Sequence, residues 1–303
     1  MKLVFGRDVQ AALSANRPVV ALESTLITHG LAWPRNLEAA QMAEAAVRAG
    51  GAVPATVAIN DGHIVVGLTQ EALSQLAQTP NTRKASRATL AVALMEGGWA
   101  GTTVSATMIA ASLAGIRVFA TGGIGGVHRG GALSLDISAD LDELARTPVL
   151  VVCAGPKSVL DVDLTLEYLE TRGVPVVGWG TRELAGFFAR ESGRTLASSV
   201  ADASEAARVA SLHWGLGLTS GIVVSNPIPA PSAVSKEEAE YAIAQAVAES
   251  EAAGIHGPAA TPWILARVAE ITSGRSVAAN LALIENNAKV AAEIAVALAA
   301  LGD

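Results

Sequence analysis

Apolar and polar positions along this chain switch repeatedly between a period near 3.6 and short, wholly apolar runs. Each switch marks a boundary between helix and strand. Residues 9–15 have helical spacing behind Asp8, a good N-cap residue, and 18–22 form a short apolar strand that opens into the polar turn Glu23-Ser24-Thr25. Asn36 stands where a second helix, 37–49, would be capped, and Gly50-Gly51 ends it. Two apolar runs, 55–59 and 64–68, flank Asn60-Asp61-Gly62 and predict a hairpin. Helices follow over 69–76, 86–96 and 104–114, then a strand over 116–120, a strand over 148–154, a helix over 158–171 and a strand over 174–178. A helix over 204–214, a strand over 221–225 and helices over 235–252, 262–271 and 277–301 complete the pattern.

Short buried strands alternating with helices predict a three-layer α/β/α fold with a mixed, largely parallel sheet. The hairpin supplies the antiparallel part. No repeat or linker divides the chain, so residues 1–303 read as one domain. In such sheets ligands collect at the carboxyl ends of the strands. That rule singles out the loops at Glu23, Thr121, Gly155-Pro156-Lys157 and Asn226.

Composition narrows the function. Hydrophobic residues make up 51% of the chain and charged ones 16%, enough for a large core. A net charge of −7 with no cationic run argues against nucleic acid as a partner, while one small phosphate needs only local cations and backbone N–H groups. No apolar stretch is long enough for a membrane span, and the N-terminus lacks a signal-peptide core, so a cytoplasmic location is expected. The single cysteine, Cys153, lies inside an apolar run and reads as a small buried hydrophobe. The histidines at 29, 63, 128, 213 and 256 show no metal-ligand spacing.

Lys157 is the lysine that directly follows a wholly apolar strand. Burial there disfavours the charged form, and a neutral amine can add to a sugar aldehyde carbon. Placement alone equally allows a phosphate ligand. Glu23 reads as a general acid raised by burial or, more plainly, as a capping carboxylate. Asp136 and Asp140 read as oxygen ligands for Mg²⁺ or Mn²⁺, or as an N-cap and a first-turn acid. Lys84 in Thr-Arg-Lys-Ala-Ser-Arg precedes a predicted helix and suits a phosphate or a solvated turn. The glycine-rich stretch 121–131 would let backbone approach a ligand, but it matches neither the dinucleotide nor the Walker pattern. His128 within it can orient a substrate or sit satisfied in a loop.

Taken in order, ALESTLITHG, GAVPATVAI, KASR, GTTVSATMIAASLAGIRVFATGGIGGVHRG, DISADL, VVCAGPKS, EYLETRGVPVVGW, VVSNPIP and TPWILARVAEIT span nearly the whole chain. Together they resemble the pseudouridine-5′-phosphate glycosidase, or indigoidine synthase A-like, family. The resemblance implies a homotrimer with a divalent metal, typically Mn²⁺. It implies cleavage of pseudouridine 5′-phosphate to uracil and ribose 5-phosphate, with Glu23 as proton donor and Lys157 as nucleophile. Asp136 would hold the metal, partly through water. Lys84, Val104, Ser138, Ala139 and Asp140 would contact substrate, with His128 and Asn287 as further pocket residues. Carbon is a poor leaving group, so a lysine iminium serving as electron sink makes chemical sense where a pair of carboxylates would struggle. In one departure, the family's usual Glu-His pair is replaced by Ala132 and Leu133. A Schiff-base sugar-phosphate lyase, the same chemistry on another C-nucleotide, and a non-catalytic sugar-phosphate sensor are the competing readings.

Overall fold

The computed structural model describes residues 3–255 and 260–302, without the side chains of Ala132 and Thr261; Lys2 and His256 fall outside that range. The elements run β1 (Leu3–Phe5), α1 (Arg7–Ser14) and β2 (Val19–Leu22), then a π-type turn at Leu26–Gly30 and α2 (Arg35–Ala49). The hairpin β3 (Val53–Asn60) and β4 (His63–Val66) is followed by α3 (Gln70–Gln78), β5 (Arg83–Ala85), α4 (Leu90–Glu96) and β6 (Ala100–Thr102). Next come α5 (Val104–Leu113), β7 (Val118–Ala120), β8 (Val127–His128), α6 (Gly131–Ser134), α7 (Ala139–Leu144), β9 (Leu150–Cys153), β10 (Leu160–Asp161) and α8 (Val162–Thr171). The chain continues through β11 (Val176–Trp179), β12 (Ser198–Val200), α9 (Ala203–Gly215), β13 (Ile222–Ser225), α10 (Lys236–Ala252), α11 (Ala260–Ile271) and α12 (Arg275–Ala300).

An 11-stranded sheet, ordered β1-β4-β3-β2-β7-β9-β13-β11-β12 with β6 and β5 branching from β3, runs through the molecule. Its pairings are parallel except those of β3 with β4 and with β6. Side-chain alternation divides each central strand between two cores. Val20 and Leu22, Val118 and Ala120, and Leu150 and Val152 face α2 and α9 to α12. Val19 and Ala21, Phe119, and Val151 and Cys153 face α1, α4, α5, α7 and α8. This is the mixed α/β/α sandwich that the periodicity predicts. Alanines such as Ala288, Ala291, Ala292 and Ala295 line the buried side of α12 and let it lie against α2 and the sheet.

Three expectations change. Asn36 is not the cap of α2: the helix begins one residue earlier, and the fully buried Asn36 amide donates to Ile27 O (2.8 Å) and Ala77 O (2.9 Å). It joins the π-type turn to the end of α3. The helix predicted over 86–96 starts only at Leu90, because 83–85 pair with β6 as a strand and Ser86 N donates to Thr89 Oγ1 in the turn between. The helix predicted from 158 starts at Val162, where Asp161 accepts from Leu164 N. Strands β5, β6 and β12 have three residues each, too few to show a period.

Replacing Asn36 by alanine leaves two inward-facing carbonyls without a donor. The expected loss is about 1–3 kcal/mol of folding stability, measurable as a lower urea midpoint with an unchanged m value.

Candidate active site

The site begins where β2 leaves β3. The two strands pair as far as Leu22 and Thr56; beyond that, β6 takes over the same edge of β3 in the opposite direction. Ser24 stands in the fork. Its hydroxyl donates to Val57 O (2.6 Å) and accepts from Thr102 N (2.9 Å), closing the ladder that the divergence interrupts. Gly101 leaves room for the turn, since a Cβ there would meet Thr28 Oγ1 at 2.2 Å. Glu23 is thereby held at the carboxyl end of β2 and faces two adjoining cavities.

Lys157 reaches the same place from β9. Gly155 takes φ +82°, and a Cβ on it would lie 2.4 Å from Ala185 O, so the loop requires glycine. Lys157 N donates to Ile124 O (3.0 Å) and Ile124 N to Gly155 O (3.2 Å), which staples the lysine loop to the glycine-rich stretch. Lys84 arrives on β5, paired opposite Gly101 of β6. A strand thus presents Lys84, and the anion-sharing argument from a following helix N-terminus does not apply.

Glu23, Thr25, Lys84 and Lys157 line both cavities. One chamber is largely apolar, walled by Leu26, Ala40, Ala43, Phe187, Leu265 and Ile284, with His29, Thr56, Thr121 and Asn280 as its further polar members. The other carries more polar side chains, lined by Ser86, Thr89, Thr103, His128, Asp136, Ser138 and Asp140 together with Ala139, Val159 and Leu160. Two titrating groups at the junction are displaced from their ordinary values. Burial raises the Glu23 carboxyl, opposed by the charge of Lys157, a hydrogen bond from Thr121 and the charge of Lys84. Burial lowers the Lys84 ammonium, and Lys157 lowers it further, against the pull of Glu23 and Asp140. His29, whose Nδ1 meets Thr28 Oγ1 at 2.6 Å, is likewise lowered by burial and by Lys84.

Asp140 lines the polar chamber, but its oxygens are engaged by backbone: Oδ1 accepts from Ser105 N and Oδ2 from Gly125 N, both at 2.9 Å. Ser138, not Asp136, caps α7, accepting from Asp140 N. The glycines that line the chambers are also required by the protein around them: a Cβ on Gly125 would strike Ser138 and Asp140, and one on Gly123 would strike Phe187. Neither Val104 nor Asn287, both expected to contact substrate, lines a chamber with its side chain. Val104 opens α5 with its side chain in the core, and its neighbour Thr103 lines the cavity. Asn287 has no exposed surface, and its amide is engaged by Asn226 and by the carbonyls of Thr121 and Gly122. The α12 amide that does reach a chamber is Asn280, two turns earlier on the same face.

Asp136 is exposed, with Oδ2 4.0 Å from His128 Nδ1. Among the described residues no group of three His, Cys, Asp or Glu gathers. A closed zinc-type site is excluded by that donor set. A hard divalent ion that keeps most of its waters and takes a single carboxylate fits it. Leu133, at one of the two departure positions, is 94% exposed and directs no polar group toward Asp136.

Sequence reasoning marked the loop at Thr121 but gave its hydroxyl no role, and it passed over Thr25, His29 and Asn280 as site residues. Asn280 could have been found as an amide in the Ala/Leu-rich stretch of α12. Thr25 and His29 gave no separate signal.

The fold and the lysine–carboxylate pair at the carboxyl edge of its sheet define the class: an α/β enzyme with one buried site shared by two chambers. The chain belongs to the family described as indigoidine synthase A like protein, whose profile matches residues 8–297. It is 53% identical over 295 residues to a pseudouridine-5′-phosphate glycosidase of Solibacter usitatus (strain Ellin6076), covering 97% of this chain and 99% of the relative. It is 52% identical over 301 residues to one of Sorangium cellulosum (strain So ce56), covering 99% and 95%. Among solved structures, the prealnumycin C-glycosynthase AlnA in complex with ribulose 5-phosphate superposes with a TM-score of 0.92 at 42% identity over 99% of this chain and 98% of that one. An indigoidine synthase A-like protein from Thermotoga maritima superposes at 0.89 with 34% identity over 98% and 96%. No helix among the described residues is long and apolar enough to cross a membrane.

Cys153 sits beside the site but faces away from it into the core, and burial pushes its thiol up to about 12. At pH 8 only about one molecule in 10⁴ would carry the thiolate. Iodoacetamide should therefore leave the native enzyme unlabelled while it alkylates the urea-unfolded chain, as mass spectrometry would show.

Proposed function

We propose that this enzyme reversibly cleaves pseudouridine 5′-phosphate to uracil and ribose 5-phosphate, through a covalent bond between Lys157 Nζ and ribose C1′. The observation that carries the reading is the junction itself. Glu23 and Lys157, delivered by different strands, line both chambers, so a ribose C1′ held between them meets a nucleophile and a proton donor together. The sugar phosphate fits the polar chamber, where Lys84 offers charge and Ser138 a hydroxyl. The base fits the apolar chamber, where the Asn280 amide has no hydrogen-bond partner among the described residues and Thr25 Oγ1 is buried without one. An amide edge matches the alternating donors and acceptors of uracil. Curated relatives named for this activity, about half identical to this chain over nearly its full length, support the same reading.

The Lys157 amine adds to C1′ while the ring oxygen leaves with a proton. Glu23, raised by burial, holds that proton at pH values where an ordinary carboxylate has lost it. The adduct nitrogen gives up a proton to the Glu23 carboxylate, which delivers it to uracil C5. The nitrogen lone pair then forms C1′=N as the C1′–C5 pair stays with the uracil ring. Water hydrolyses the iminium, releasing ribose 5-phosphate and regenerating the amine. Asp136 would hold Mn²⁺, with His128 beside it; the bound ion supplies positive charge at the polar end. A homotrimer and a cytoplasmic location belong to the proposal on the family resemblance.

The test is uracil release from pseudouridine 5′-phosphate with Mn²⁺, beside Lys157→Ala and a chelator control. Turnover should fall at least 10³-fold in Lys157→Ala, and chelation should suppress it. Borohydride added with ribose 5-phosphate should fix one pentitol phosphate on Lys157 by peptide mass; labelling elsewhere would remove the lysine from its role. In the synthetic direction Asn280→Ala should raise KM for uracil about tenfold and leave KM for ribose 5-phosphate unchanged. The apolar lining and the similarity to a C-glycosynthase favour one second reading, the same chemistry with another aromatic acceptor. Borohydride labelling without uracil release would select it.

A further inference from the structure

Behind Glu23 lies a chain of polar groups that opens into neither chamber at its far end. Thr121 Oγ1 donates to Glu23 Oε1. The Thr121 backbone is tied on both sides: its N–H donates to Val152 O (3.0 Å), and its carbonyl accepts from Asn287 Nδ2 (2.8 Å), which also reaches Gly122 O (3.4 Å). Asn287 Oδ1 accepts from Asn226 Nδ2 (2.9 Å), and Asn226 N donates to Cys153 O (2.8 Å). Thr121, Asn226 and Asn287 are all more than nine-tenths buried. The series joins the carboxyl ends of β2, β7, β9 and β13 through one residue of α12.

We propose that Asn287, locked by Asn226, is a positioning residue for the proton donor: it fixes the Thr121–Gly122 turn so that the Thr121 hydroxyl is committed to Glu23 Oε1. The inference rests on Glu23 serving as the acid of the proposed reaction. With Oε1 held as an acceptor, the transferable proton sits on Oε2. A bare apolar burial of Glu23 would fix neither which oxygen carries the proton nor where it points. A side chain with no exposed surface and both ends of its amide engaged is suited to this holding role and not to touching substrate, the role expected for Asn287 from the sequence.

The hydrogen bond from Thr121 lowers the Glu23 carboxyl against the larger effect of burial, so removing it raises the carboxyl further. For a proton donor the acid form is active, and the alkaline limb of the rate profile then moves to higher pH. Thr121→Val should move that limb up by about one unit, and Thr121→Ser should restore it. Asn287→Ala should move it in the same direction with both KM values within about twofold of wild type, and Asn226→Ala should do so to a smaller extent. Titration of the Glu23 carboxyl by ¹³C NMR, assigned with Glu23→Gln, reads the same shift without turnover. If the wild type does not turn over pseudouridine 5′-phosphate, the proposed reaction fails while the NMR titration still decides the positioning role. Folded Thr121→Val with an unmoved carboxyl, or Asn287→Ala with a raised KM and an unmoved limb, would overturn the inference. If Asn287→Ala does not fold, the Asn226→Ala and Thr121 variants decide it alone.

Discussion

The divergence of β2 from β3, bridged by the Ser24 hydroxyl, is the constraint on which the site depends. A continuous parallel ladder would bury Glu23 between strands. Without that bridge Thr102 N would have no partner in the core, at about 1–3 kcal/mol, and Val57 O would keep only the Thr102 hydroxyl as a side-chain donor. Ser24 satisfies both, and Thr102 Oγ1 adds a second donor to Val57 O. The sheet can therefore open on one side of β3 without losing its hydrogen bonds. Into that opening come Glu23 from β2 and Lys84 from β5, opposite Lys157 from β9.

The charges gathered there explain one another. Burial disfavours both the Glu23 carboxylate and the Lys84 ammonium, and each is favoured by the other's charge. Asp140 contributes a negative charge from the polar side while its oxygens are held by the amides of Ser105 and Gly125, so it acts as a fixed counter-charge and a brace between α5 and α7. Groups balanced in this way can gain or lose a proton with little rearrangement of the surrounding protein.

The two chambers differ because the two faces of the sandwich differ. The apolar chamber lies under α2, α11 and α12, the alanine- and leucine-rich layer. The polar chamber lies against the N-terminal ends of α5 and α7, where Thr103 and Ser138 cap the first turns. Leu133 and Leu135, 94% and 76% exposed, lie in the segment before Asp136 and bring no polar side chain to the polar chamber.

Local patterning was enough for most of the longer helices, most of the central strands and the hairpin, because a run of four or more residues of one period reports which face is buried. The rule of strand carboxyl ends was enough to pick out Glu23 and Lys157, since each directly follows an apolar run. Three-residue strands such as β5 and β6 carry too little period to be seen, and so the placement of Lys84 on a strand was missed. Asp140 and Asn287 were legible as polar residues near the site, but whether they touch substrate or hold backbone depended on which amides and carbonyls came within 3 Å of them. Those partners lie 35 residues away for Asp140 and 166 for Asn287, on other elements. Only the packing of the sheet against its two helical layers brings them together, and periodicity along the chain contains no record of that distance.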